Sequence, residues 1–154
     1  MTFHISGLPA DIFAALFLAS DKELAAVGAR RCVADDDSGF PCRISLTDAR
    51  KGDEVILTHF EHHAVASPFR ASHAIYVRRD EQRFDAVDEI PPMLRSRLLS
   101  VRAFDADAML VDADVVPGAE LHTLIERQFA IACVSYLHIH FARPGCYAAR
   151  VDRA

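Results

Sequence analysis

The sequence predicts an α+β domain: a largely antiparallel sheet of about five to seven strands, with two N-terminal helices and one late helix packed on one face. Three observations carry this. Helical periodicity is confined to the start and the end of the chain, with strand-like segments between. Those segments are mostly joined by short connections, which suit antiparallel neighbours rather than crossovers. Several of them alternate apolar with polar residues, as in a sheet with one face covered and the other partly open.

Composition bounds the rest. A chain of 154 residues suits one domain over 1–154, large enough to bury a core without staples. Seventeen Lys and Arg against 22 Asp and Glu give a net charge of −5, which argues against a nucleic-acid partner. The longest apolar run, Ile12 to Ala19, is too short to span a bilayer, so no membrane partner is expected. No basic segment precedes an apolar core at the N-terminus, so no secretory signal is read. Four Cys without CxxC spacing point to reduced thiols and a cytoplasmic location, with no cofactor implied.

Taken in order, residues 2–7 read as a short strand. A helix starts at Pro9 with Ile12, Phe13, Leu16 and Phe17 as its buried stripe. Ser20-Asp-Lys-Glu23 is a capping box, and Gly28 suits the position just past a short second helix. Arg31 to Ala34 reads as a strand, and 35–41 as a loop on composition. Asp53 to Phe60 and His73 to Arg79 are rich in β-branched and aromatic residues, hence strands, with a dozen-residue loop from Glu61 to Ser72 between them. Pro91 to Arg95 starts a helical turn. Leu98 to Phe104 and Met109 to Val116 are two more strands. In the latter Met109, Val111, Ala113 and Val115 face inward and Asp112 and Asp114 outward. The late helix runs from about Ala119 to Ala130 on Leu121, Leu124, Ile125 and Phe129.

A hairpin closes the chain, from Val134 to Ala142 and from Cys146 to Val151. Leu137, Ile139 and Phe141 share one face, and Tyr136, His138 and His140 the other. Matching them to Tyr147, Ala149 and Val151 requires a loop of odd length. A five-residue loop, Ala142 to Cys146, lets Pro144 and Gly145 occupy a type II turn. His138 then lies opposite Arg150, and His140 opposite Ala148.

These residues carry the candidate chemistry. His138-x-His140 offers two imidazoles on one side of a strand, but a third ligand would have to come from His59, His62, His63, His73, Cys42 or Cys146 and no spacing rule connects them, so no metal is assigned. Cys42-Arg43 sets a thiol beside a guanidinium, the setting of an activated nucleophile, unless Cys42 is simply a buried small hydrophobe. Cys146 invites the same two readings. Arg70 and His73 sit in a hydroxyl-bearing stretch that, with Arg43 and Arg150, suits a carboxylate or phosphate, unless Ser and Arg merely pin the loop. Asp105, Asp107, Asp112 and Asp114 read as a solvated edge rather than a cation site. No Walker loop, GxGxxG, GxSxG or HExxH is present.

The resulting expectation is one pocket lined by Arg43, Arg70, His73, His138, His140 and Arg150. It binds a small anionic molecule, with Cys42 or Cys146 as nucleophile and, in an enzyme, His138 or His140 as general base. The alternative is a non-catalytic interaction module or homo-oligomeric structural domain, with a C₂ homodimer as the default assembly.

Phe40 to Gly52, Ser67 to Arg78 and Ala142 to Arg150, with the Arg-Ala-Phe-Asp105 segment and Arg153, together resemble an uncharacterised bacterial family, domain of unknown function 1203. The resemblance covers nearly the whole chain and implies a single small bacterial domain. It brings no activity or catalytic roles with it. One departure is Phe141, where Asn is expected after the second His.

Overall fold

The chain runs through eleven strands and four short helices, in a computed structural model that describes residues 1–154. Six strands make an antiparallel sheet: β1 (Phe3–Ser6), β7 (Asp85–Val87), β8 (Leu98–Phe104), β9 (Leu110–Pro117), β10 (Tyr136–Phe141) and β11 (Tyr147–Arg153). Their order is β7-β1-β11-β10-β8-β9. Five others make a mixed sheet in the order β2-β5-β6-β3-β4: β2 (Ala29–Val33), β3 (Pro41–Cys42), β4 (Thr47–Asp48), β5 (Glu54–His63) and β6 (Ala71–Val77). The helices are α1 (Ala14–Leu18), α2 (Asp21–Ala26), α3 (Pro92–Arg95) and α4 (Leu121–Phe129). No helix is long and apolar enough to cross a membrane.

The α+β class and the antiparallel sheet agree with the sequence, but the strands do not form a single sheet. Residues 29–77 close a sheet of their own, and the two N-terminal helices cover it rather than joining the late helix. Phe13 and Leu24 pack with Ile56, Ile75 and Val77. On the six-stranded sheet, Leu121, Leu124, Ile125 and Phe129 of α4 pack on Leu137, Ile139, Phe141, Ala149 and Val151. Each buried Leu, Ile, Val or Phe among these stabilises the fold by about 1.5–3 kcal/mol.

Local signals mostly hold. Ser20 Oγ accepts from the Glu23 N–H at 3.2 Å and Glu23 Oε1 accepts from the Ser20 N–H at 3.1 Å, completing the capping box. Gly28 ends α2 with φ of +72°, a conformation that costs a residue without Cβ little. Two apolar stripes are corrected. Ile12 is exposed, because the first helix begins as a 3₁₀ turn over Asp11–Phe13 that turns it outward. In β9 Val111 packs inward as expected, but it is the inserted residue of a register shift opposite Ala103 and Phe104, and beyond it the expected faces are inverted. Met109 and Val115 are exposed, while Asp114 meets Arg127 and Asp112 accepts from Gln128 Nε2, both on α4.

The hairpin shows how parity can be kept by other means. His138 pairs with Arg150, Ile139 with Ala149 and Leu137 with Val151, as expected. A bulge then sets His140 opposite Tyr147, not Ala148. The Phe141 N–H donates to the Cys146 carbonyl at 2.9 Å, so only four residues, Ala142 to Gly145, form the loop. An even loop and one inserted residue replace the odd loop. The inserted residue also turns Tyr147 out of the apolar set and onto the histidine face, where its ring stacks on His62 at 5.0 Å.

The face expected to be partly open is covered. All of β10 is buried, because β5 runs three residues further than the sequence suggested. Beyond a bulge between Phe60 and His63, its end lies across the rings of His138 and His140. The loop expected over 61–72 shrinks accordingly.

Candidate functional site

The residues expected to share one pocket do not converge: some line one or other of two cavities that have no lining residue in common, and the rest line neither. The larger, about 570 Å³, is walled by Arg43, Tyr76, Arg97, Phe141, Arg143 and Cys146 among others. Arg43 follows β3 directly, and its N–H donates to the Tyr76 carbonyl at 3.0 Å. Its side chain is 1% exposed. The guanidinium donates to the Tyr147 carbonyl at 2.8 Å, to the Pro41 carbonyl, and to Cys146 Sγ at 3.0 Å. None of these partners is a carboxylate. Burial is the largest influence on Arg43 and lowers its proton affinity, while the Cys146 and Cys42 sulfurs oppose that effect. Arg97, by contrast, is held by both oxygens of Asp48 at 3.1 and 2.6 Å. The Phe141 ring lies 5.0 Å from both guanidinium carbons, a cation–π contact with each.

The second cavity, about 380 Å³, lies where β5 meets β10. His62, His138 and His140 each bring one nitrogen to it, all within 4.8 Å of one another. Burial lowers all three from the ordinary value near 6.5, to about 4 for His62, about 2 for His138 and about 3 for His140. His140 Nδ1 bonds the Gly145 carbonyl at 2.9 Å, which fixes that nitrogen as the N–H. His62 and His138 each have a shielded Nδ1 with no partner. His63, next in the chain, has both nitrogens engaged, donating to the Phe69 carbonyl at 2.8 Å and accepting from the Tyr136 hydroxyl at 2.6 Å. Arg102, across the strand from His138, lines the same cavity and has no ion pair or hydrogen bond from its side chain.

Residues 39–153 match the family model described as Protein of unknown function (DUF1203). The chain belongs to this family. Every arginine, histidine and cysteine of both cavities falls within the DUF1203 segment, while β1, α1, α2 and β2 precede it. No curated protein and no solved structure matches the chain. The functional reading of this DUF1203 member therefore rests on geometry.

Of the residues singled out from sequence, Arg43 and Cys146 meet in the larger cavity, and Arg70, His138 and His140 in the smaller. Arg70 is exposed there and paired with Glu61 at 2.8 Å. Three fall outside both. Cys42 has no exposed surface and packs among Ile44, Ile56 and Ile75. His73, on β6 opposite Phe60, bonds only the Ala74 carbonyl. Arg150 does lie opposite His138, but Asp152 takes both its Nε and Nη2, and its guanidinium stacks over Tyr136 at 4.1 Å.

Sequence reasoning missed Arg97, Arg102 and Arg143, and it offered His62 only as one of six possible third ligands. His62 lay in a stretch read as loop, and only the bulge in β5 makes it a neighbour of His138. Arg97 and Arg143 carry no motif; they converge because Phe141 and the hairpin turn bring them together.

Proposed function

We propose that the chain binds a small anionic molecule in the cavity walled by Arg43, Arg97 and Arg143, with the Cys146 thiol beside the bound group. One observation carries this: Arg43 is a buried cation with no carboxylate partner. An uncompensated buried charge costs several kcal/mol, and an anion in the adjoining cavity would offset it. Arg97 is neutralised by Asp48, but Arg143 is exposed and unpaired, so the cavity keeps an excess of positive charge in a chain that is acidic overall. A volume of about 570 Å³ falls in the range of small-molecule sites. Planar guanidinium forks favour carboxylates and phosphates over other anions. For a ligand with an electrophilic centre, Cys146 is the nucleophile in reach: both thiols are buried, but Cys146 is 8% exposed and lines the cavity, whereas Cys42 has no exposed surface and lines neither cavity. The four unpaired thiols suit the reducing cytoplasm of a bacterium.

Calorimetric titration with inorganic phosphate and with short dicarboxylates tests the reading. Saturable binding is expected, weakened about tenfold in Arg143→Ala through the loss of one charge-assisted hydrogen bond of about 1.5 kcal/mol. Arg143 is exposed, so this variant should fold. No heat of binding from either anion, or equal affinity in the variant, would reject the site.

The interaction-module reading has one feature in its favour. β9 is an unpaired edge of eight residues on which Leu110 and Val115 are exposed. A mass of one chain by light scattering at high concentration would remove it.

A further inference from the structure

We propose that His62, His138 and His140 form a binding site for a divalent transition-metal ion, zinc in the first instance. This inference does not depend on the anion reading, since the two cavities share no residue. The three ligand nitrogens already lie within 4.8 Å of one another. Tetrahedral zinc with Zn–N bonds of about 2.0–2.1 Å would draw them to about 3.3 Å, a movement within reach of side-chain rotation. Two independent features show that the cluster lacks something. His138 is 3% exposed and its ring makes no hydrogen bond, and the shielded Nδ1 of His62 is equally without a partner. Buried polar atoms are normally satisfied, and in the tautomer that leaves its lone pair on Nδ1 each orphaned ring is satisfied by a metal ion.

The remaining details fit the same ion. His140 donates its Nδ1–H to the Gly145 carbonyl, leaving Nε2 as its lone-pair atom. Metal-bound histidines are generally held this way, with the second nitrogen on a carbonyl or carboxylate. His63 is excluded because both of its nitrogens are occupied. An all-imidazole set suits zinc, copper, nickel or cobalt, whereas magnesium and calcium require oxygen ligands.

Three protein ligands leave a fourth position, the pattern of reactive rather than structural zinc sites. That position opens on the cavity lined by Arg102, whose side chain has no partner. With no carboxylate among the ligands, the ion keeps its full double charge, and Arg102 adds another. The fourth position therefore favours an anion over neutral water: hydroxide, or the oxygen of a carboxylate or phosphate that also meets Arg102.

The test uses the full-length chain stripped with chelator and then titrated with Co²⁺ and Zn²⁺. Expected are one ion per chain, an intense tetrahedral Co²⁺ absorption band that Zn²⁺ abolishes, and a rise in melting temperature on metal addition. His62→Ala, at a half-buried position, should fold and bind at least about 100-fold more weakly, while His59→Ala, on the exposed part of β5, should bind as the parent does. Circular dichroism checks that each variant folds. A weak octahedral cobalt spectrum, substoichiometric metal, or His62→Ala binding as tightly as the parent would overturn the site. If His62→Ala fails to fold, the stoichiometry and the cobalt spectrum of the parent decide alone.

Discussion

At the scale of single residues, two buried side chains determine the chemistry, for opposite reasons. Arg43 keeps its charge in the interior because two carbonyls, a sulfur and the face of Phe141 surround it. Arg43→Ala would leave the Tyr147 and Pro41 carbonyls without donors, and should cost about 3 kcal/mol or more in urea unfolding. A loss under about 1 kcal/mol would mean that water already serves those carbonyls. His62, His138 and His140 of the second cavity shed their charge instead. Burial holds His62 near 4 and His140 near 3, with Arg102 and Arg150 as the fixed positive charges and His63 and His73 as the other imidazoles around the cluster. The unfolded chain takes up these protons near pH 6.5 and the folded chain does not. Their contribution is therefore complete above pH 6.5 and is lost as pH falls toward 4 and below. In chelator, urea midpoints should drop from pH 7 to pH 5, and less steeply in His62→Ala. A midpoint flat over that interval would place the imidazoles in contact with solvent.

At the scale of elements, the capping box offers the cleanest test. Ser20→Ala removes one side-chain acceptor from the start of α2 and should cost about 1 kcal/mol. Unchanged stability would show that this short helix is held by Leu24 alone. The same scale explains what could be read from sequence. Caps, helix stripes and strand alternation are local, so α2, α4, β8 and the pairing of His138 with Arg150 were all legible. Bulges were not. One in the hairpin moved Tyr147 onto the histidine face, one in β5 made His62 a ligand-grade neighbour, and one between β8 and β9 reversed the aspartates. Each is a single unpaired residue with no composition signal, and each shifts every side chain beyond it to the other face. The pairing of distant sheets was equally silent, which is why residues expected in one pocket fell into two.

At the scale of the molecule, the two sheets are joined by close contacts that leave no slack. Arg43 reaches the Tyr147 carbonyl, His63 reaches the Tyr136 hydroxyl, and Gly7 lies against the Arg43–Ile44 backbone. A Cβ on Gly7 would sit 2.1 Å from the Ile44 carbonyl oxygen. Gly7→Ala must therefore part the sheets, lowering thermal stability by more than about 2 kcal/mol, whereas Gly39→Ala, with nothing within 4 Å, should be neutral or slightly stabilising. Equal melting temperatures would show that this junction can relax. Both cavities lie along that junction, so binding at either should tighten the whole chain. The anion site is tested most directly by the rate at which iodoacetamide alkylates Cys146, followed by peptide mass spectrometry with and without saturating phosphate. Phosphate should slow Cys146 about tenfold or more and leave the exposed Cys133 unaffected; a Cys146 rate that phosphate does not change would mean that no anion binds beside Arg43.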